Sequence, residues 1–550
     1  MLRLFTQHKV RKVEELNGNW EFSVDGKKTI SMPVPGCWEQ HPEYANYRGK
    51  ATYTKKIYTN DPSSFRLEFK GVSHTAEVYF DGEKVIHHYN AYTPFSCIIP
   101  SVKAGNHEIK VVVDNSFTQE SALHIPNDYY TYGGLIRGVC ISPISDVYIE
   151  RIQFTPEYKD NTWWAKTEVF LYNTSQIKRK VSLDLLLADQ NETITETIPA
   201  NSRSSLSIKR AYPRVESWSA TAPSLYLLQA TLLEEGKEID DLIERVGFRT
   251  VEVKGNQLYL NDEKVFLKGF NRHEDHGPYG CAIPYQLMVQ DMDIIQDLGG
   301  NSIRTCHYPN DELFLDLCDE RGMLVWEENH ARGFDLEKMQ NPHFDKQCFD
   351  CNKEMVESHY NHPSIIIWGI LNECASETEI GRSKYKKQYQ QIRAMDRSRP
   401  LTSATCRHFT DKCLDLPDIV SFNMYTGWYQ DMSVSERHDQ ELAWIEQEGG
   451  AGKPIIVSEF GAGGIYGFRD RAKSKWSEER QREIIEANMK VYLNDPRIMG
   501  VYIWQFADCR VTEEDNWFAV RPRTHNNKGI VDEYRRPKLV YDTVKQYFNR

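Results

Sequence analysis

From about residue 251 onward, short apolar runs alternate with amphipathic stretches of helical spacing, and this alternation limits the possible folds more than any other feature of the chain. Eight runs stand out, at 265–270, 302–306, 323–326, 364–371, 401–405, 419–423, 454–458 and 499–506. Near-continuous apolar runs of this length suit strands buried on both faces, as in a parallel sheet. Between them, 287–298 places Met288, Met292, Ile295 and Leu298 on one helical face, and 478–493 repeats the pattern. Eight strand and helix units across 251–550 predict a (β/α)8 TIM barrel, whose chemistry sits at the C-terminal ends of the strands.

The preceding part follows a different grammar. Residues 1–145 show short alternating runs such as 65–69 and 75–80, separated by turn signals that include Asp81-Gly82, which predicts an antiparallel β-sandwich. Residues 146–250 carry a second set, among them 167–172, 181–187 and 225–233, at the spacing of an immunoglobulin-like sandwich. We therefore expect three domains, at 1–145, 146–250 and 251–550.

Charge and cysteine usage narrow the function. A net charge of -12 sets a repulsive field against nucleic acid and anionic membranes, so neither is expected as a partner. An anionic substrate would need a local basic pocket. The first twenty residues contain no apolar run resembling an export signal, and no stretch is long and apolar enough to span a bilayer. With 12 Cys lacking any repeated spacing, the chain reads as a soluble cytoplasmic protein with reduced thiols. Cys348 and Cys351 form a CxxC, but His359 and His362 follow too closely for a zinc finger, and no metal is expected. No P-loop or dinucleotide fingerprint is present, so no cofactor is expected either.

Polar residues just beyond the predicted strands are the first candidates for chemistry. The fourth run is followed by Asn372 and Glu373, and the seventh by Glu459. Strands four and seven face each other across such a barrel, which lets two carboxylates converge on one pocket. Paired carboxylates flanking an anomeric carbon are what glycosidic cleavage requires. Beyond the third run lies Arg332, on the same end of the barrel, whose rigid guanidinium fork could engage a carboxylate and a hydroxyl together.

The pieces NRHEDHG (271–277), RTCHYP (304–309), NHPSIIIWGILNE (361–373), SEFG (458–461) and IWQFAD (503–508) resemble glycoside hydrolase family 2 in order and interval. NGNWEF (17–22), VPGCW (34–38) and YGGLIRGV (132–139) resemble its jelly-roll sugar-binding domain, and GFRTVEV (247–253) the junction with its barrel. The resemblance implies a retaining double displacement, with Glu373 as acid/base, Glu459 as nucleophile and Asn372 on the sugar 2-hydroxyl. It implies that Tyr425 holds the nucleophile, that Trp504 floors the sugar site, and that Asp128, Asn423 and Tyr429 line it.

Within the family, Asn526-Asn527-Lys528-Gly529 resembles the Asn-x-Lys motif by which β-glucuronidases hold a C6 carboxylate, so Asn526 and Lys528 are expected to clamp a uronate. Where those enzymes carry a further carboxylate-binding Arg, this chain has Pro522, leaving Arg521 and Arg523 as substitutes. The expected activity is a retaining exo-β-uronidase acting on terminal β-glucuronides and β-galacturonides, in a homodimer or homotetramer. A dedicated β-galacturonidase, a β-galactosidase and a non-catalytic carbohydrate-binding protein are the alternatives; the last would have to explain both glutamates, and a β-galactosidase would have to explain Lys528.

Overall fold

Each apolar run of the C-terminal part does form a buried parallel strand. The computed structural model describes residues 2–513 and 520–550. Eight strands close a barrel: β1 (Leu267–Asn271), β2 (Ser302–Thr305), β3 (Leu324–Glu328), β4 (Ile365–Gly369), β5 (Leu401–Thr405), β6 (Ile419–Asn423), β7 (Ile455–Phe460) and β8 (Ile498–Ile503), with β8 pairing back onto β1. Helices Tyr285–Asp297, Glu312–Arg321, Phe344–His359, Glu379–Met395, Val434–Ile445 and Glu478–Tyr492 wrap it. Their caps follow simple chemistry: Asp311, Thr378, Ser433 and Ser477 each accept a bond from a backbone N–H in the first helical turn.

The first predicted strand is two elements. Glu263–Val265 belongs to a small antiparallel sheet with Val251–Lys254 and Gln257–Leu260, and the barrel strand begins only at Leu267. That sheet packs Val251, Leu258 and Leu260 against the barrel residues Leu267, Leu324, Ile419 and Met499. These lie at or next to the N-terminal ends of their strands, so one mouth is plugged and the other is left for the site. CxxC residues Cys348 and Cys351 are buried on the helix Phe344–His359, in the core that the helices share with the barrel strands, as apolar fillers would be.

Ahead of the barrel, a six-stranded sheet (order Ile30–Val34, Gly18–Ser23, Lys50–Thr59, Gly105–Asp114, Thr75–Phe80, Glu83–Tyr89) shares one core with a four-stranded sheet. Next come a three-stranded and a four-stranded sheet around a second core that includes Trp163, Leu183 and Phe248. Among the described residues, no helix is long and apolar enough to cross a membrane.

The first sandwich does more than sit beside the barrel. Arg137 donates 2.7 Å to Glu274 Oε2, 2.8 Å to the Pro309 carbonyl and 2.7 Å to the Tyr92 carbonyl. Arg137 and Glu274 are both almost fully buried. Removing one member of such a pair leaves a charge without water or partner. Arg137→Ala should therefore destabilise the docking by roughly 3 kcal/mol, seen as a lower melting temperature and faster proteolysis between sandwich and barrel; an unchanged melt would remove this pair from the account.

Candidate active site

At the open end of the barrel one buried cation gathers the ends of four strands. Arg304, at the end of β2, has no solvent exposure. Its NH1 donates 2.8 Å to Asn271 Oδ1 at the end of β1 and 2.8 Å to Glu459 Oε1 on β7. Nε and NH2 take the two oxygens of Glu328 on β3 at 2.9 and 3.0 Å, and NH2 also reaches Asn372 Oδ1 beyond β4 at 2.8 Å. A planar fork with five donors fits this demand, which an ammonium could not. Burial raises Glu328 to about 7 despite the Arg304 charge, and its Oε1 lies 2.6 Å from His307 Nδ1.

The two sequence-nominated carboxylates line one cleft of about 300 Å³. Glu459 is almost fully buried, with Oε1 on Arg304 and Oε2 accepting from Tyr425 OH at 2.6 Å. Burial and then repulsion from Glu373 push its pKa above the ordinary carboxylate value, while Arg304 and Tyr425 restrain the rise. Glu373 is more open, accepting 2.9 Å from Asn423 Nδ2 and lying 3.6 Å from Arg332 NH2. Its backbone has φ of 53°, and Leu371 nearby has φ of 46°, a left-handed conformation that a side chain tolerates only at a cost of about 1 kcal/mol. Bonds from Asn372 N to the Ala331 carbonyl and from Glu373 N to the Ala404 carbonyl hold that turn.

Asn372 spends its oxygen on Arg304 and Asn423, while its buried Nδ2 has no partner among the described residues. A buried donor left unsatisfied points to a ligand group that completes it. Trp504 forms one wall, with His307 stacked on it at 5.1 Å and His273 edge-on at 5.4 Å.

Opposing charge surrounds Tyr429. Its phenolic oxygen lies 3.1 Å from Lys528 Nζ and 3.5 Å from both terminal nitrogens of Arg521. Burial would raise the phenol pKa, but Lys528 and Arg521 outweigh it and hold the group below its ordinary value. This is the local basic pocket that a net-acidic protein needs to capture an anion.

The first sandwich supplies the back of that pocket. Asp128 accepts 3.0 and 2.7 Å bonds from Arg521 Nε and NH2, and 2.9 Å from Asn526 Nδ2. Beside it, Asn127 accepts from Arg332 NH1. Two of the nominated residues meet each other. Asn526 is turned toward Asp128 and is not among the side chains lining the cleft, and Asp128 is already engaged by a guanidinium before any sugar arrives. Of the two arginine candidates, Arg521 reaches the cleft; Arg523 bonds Glu533 at 2.6 Å and faces a separate hollow with Glu39 and Asp275. The reason is local: Pro522 and Arg523 form a short turn, with φ of 60° at Arg523, that sends the two guanidinium groups to opposite sides.

Sequence reading did not nominate Arg304, Glu328, His307 or Asn127, nor the cleft residues Cys406, His408 and Gln430. Arg304 and His307 lie inside the RTCHYP motif, but an Arg within a strand gives no sign of which neighbours it meets. Among the described residues, Asp316, Asp319 and His362 have the spacing of metal ligands. Arg3 already binds Asp316 through two nitrogens at 2.9 Å, so the grouping is a buried ion-pair cluster that anchors the N-terminal arm.

Comparison with known proteins agrees with this geometry. Residues 251–550 match the model for "Glycosyl hydrolases family 2, TIM barrel domain", and 147–249 match "Glycosyl hydrolases family 2". A β-galacturonidase from Eisenbergiella tayi, solved bound to galacturonate, is 48% identical, with a TM-score of 0.98 over 100% of this chain and 99% of that one. A β-D-glucuronidase structure from Dictyoglomus thermophilum is 26% identical with a TM-score of 0.86, covering 98% of each chain. The β-glucuronidase of Streptococcus agalactiae is 27% identical, covering 98% of this chain and 96% of its own. With both family models matching in register over the immunoglobulin-like sandwich and the whole barrel, the chain belongs to glycosyl hydrolase family 2 and is a glycoside hydrolase.

Proposed function

We propose that this enzyme hydrolyses terminal β-uronides with retention of configuration, and that it accepts β-galacturonides as well as β-glucuronides. The observation that carries the reading is one cleft holding two carboxylates, Glu373 and Glu459, together with two cations, Lys528 and Arg521, around a single phenol. A neutral sugar would leave the Lys528 ammonium facing a phenol and no anion, whereas a C6 carboxylate would accept charged hydrogen bonds there, beside an Arg521 already held by Asp128. The names of the similar β-galacturonidase and β-glucuronidases support the same substrate class.

In this reading Glu459 attacks the anomeric carbon as the bond to the leaving oxygen breaks, and that oxygen takes the proton of Glu373. Arg304 and Tyr425 fix the direction of attack by holding one oxygen each. Water then attacks the same carbon, Glu373 takes its proton, and the ester bond to Glu459 breaks, which restores both carboxyl groups. Asn372 Nδ2 is free to meet the 2-hydroxyl, where a hydrogen bond strengthens in the transition state. The carboxylates and guanidinium together supply the acid, nucleophile and charge stabilisation, so the reading invokes no cofactor. Twelve unpaired thiols favour a reducing, cytoplasmic setting, and the family resemblance favours a homodimer or homotetramer.

Arg332 supports the galacturonide reading. It reaches from beyond β3 to within 3.6 Å of Glu373, and its buried Nε has no partner among the described residues. An axial 4-hydroxyl lies on the same face as the neighbouring carboxylate-bearing carbon, where one fork could bridge both; an equatorial one points outward. Arg332→Ala should lower kcat/KM for 4-nitrophenyl β-galacturonide about tenfold more than for the β-glucuronide. Equal losses on both, or a wild type inactive on the galacturonide, would refute this part.

Tyr425→Phe probes the nucleophile through pH. Glu459 attacks only when ionised, so activity falls as pH drops through its raised pKa, and losing the phenol bond to the carboxylate raises that pKa further. The acid limb of kcat/KM should move to higher pH in the variant. A limb that stays in place, or moves down, would show that Tyr425 does not stabilise the charged nucleophile.

A further inference from the structure

Lys528 sits on a segment whose peptide carbonyls are all claimed. The Asn526 carbonyl accepts from Gln505 Nε2 at 3.1 Å, that of Lys528 from Gln505 N at 3.0 Å, and that of Gly529 from Gln481 Nε2 at 2.9 Å. The Asn527 carbonyl accepts twice, from Gly464 N at 2.8 Å and from Lys538 Nζ at 3.2 Å. Lys538 has a second and a third bond, 2.7 Å to Asp508 Oδ1 and 2.6 Å to the Gly464 carbonyl. Asp508 Oδ1 in turn accepts from Gly529 N at 2.8 Å. The peptide groups on either side of Lys528 are thus tied to one ion pair whose two side chains are wholly buried.

Burying such a pair is costly unless its geometry is strict and its remaining donors are satisfied. Here all three ammonium bonds go to oxygens in different segments: one just beyond β8, one in the loop after β7, and one beside Lys528. The space is equally strict, because a Cβ at Gly529 would lie 2.2 Å from the Val531 carbonyl oxygen and 2.3 Å from Asp508 N. An apolar pair of the same size would fill the volume but leave the Asn527 carbonyl with one donor fewer and Gly529 N with no acceptor.

We propose that Lys538 and Asp508 are positioning residues for uronate recognition: their buried ion pair sets the height and direction of the Lys528 ammonium against the substrate carboxylate. Neither touches substrate. The proposal rests on the uronide reading of the cleft, and it makes a prediction that a general role in stability does not make. If the pair acts through Lys528, its removal costs little once the Lys528 ammonium has gone.

A double-mutant cycle tests this on 4-nitrophenyl β-uronides. Lys538→Met alone leaves a buried carboxylate and is prone to misfolding, so the cycle uses Lys538→Met combined with Asp508→Asn, which removes both charges and keeps the shapes. Variants enter only if their circular dichroism and cooperative melts match a folded protein; should that pair fail, Asp508→Glu, which keeps both charges but displaces the carboxylate by one methylene, carries the same cycle. The expected result is a loss of about tenfold or more in kcat/KM, mainly through KM, shrinking to less than about twofold in a Lys528→Ala background. Equal losses in the two backgrounds would overturn the positioning role while leaving the uronidase reading intact. A wild type that cleaves neutral β-glycosides and not uronides would overturn both.

Discussion

The site depends on one guanidinium. Arg304 is fully buried and binds Asn271, Glu328, Asn372 and Glu459, so the C-terminal ends of β1, β3, β4 and β7 are registered against β2 by a single planar group. An unpaired charge in that position would be prohibitive, and two carboxylates flanking it without a cation would repel. Each needs the other. Glu328 neutralises the guanidinium enough to bury it, and Arg304 lets Glu459 stay anionic next to Glu373. The left-handed turn at Glu373 fits the same picture, since backbone strain persists only where the surrounding contacts over-determine it.

The second constraint comes from outside the barrel. Asn127 and Asp128 belong to the N-terminal sandwich, yet they orient Arg332 and Arg521, one beside Glu373 and the other beside Tyr429 and Lys528. In the proposed reading, substrate selection is built at a domain junction, across which Arg137 bonds Glu274.

Much of this was legible in the sequence, for physical reasons. Parallel strands buried on both faces are rich in apolar residues, so all eight runs could be found, and two of them, 401–405 and 419–423, have the observed bounds. A single glutamate at a strand end is usually a cap or an ion-pair partner; Glu373 and Glu459 could be nominated because two of them belong to runs expected to face each other across one barrel. What stayed hidden depends on three-dimensional neighbours. Nothing in ENHARG states that Arg332 meets Asn127 from another domain, and a two-residue offset could not tell Arg521 from Arg523 before the turn at Pro522 was seen. Asn526 carried a motif's expected role but spends its amide on Asp128, a partner nearly four hundred positions away.

The central claim is that Glu459 forms a covalent bond to a uronic acid. A 2-deoxy-2-fluoro-β-uronosyl fluoride slows both steps but retains a good leaving group, so the intermediate should accumulate and can be located by mass spectrometry of proteolytic peptides. The account predicts stoichiometric inactivation with the uronosyl group on the peptide carrying Glu459. A label on Glu373, or steady turnover with no covalent species and inversion at the anomeric centre, would contradict it.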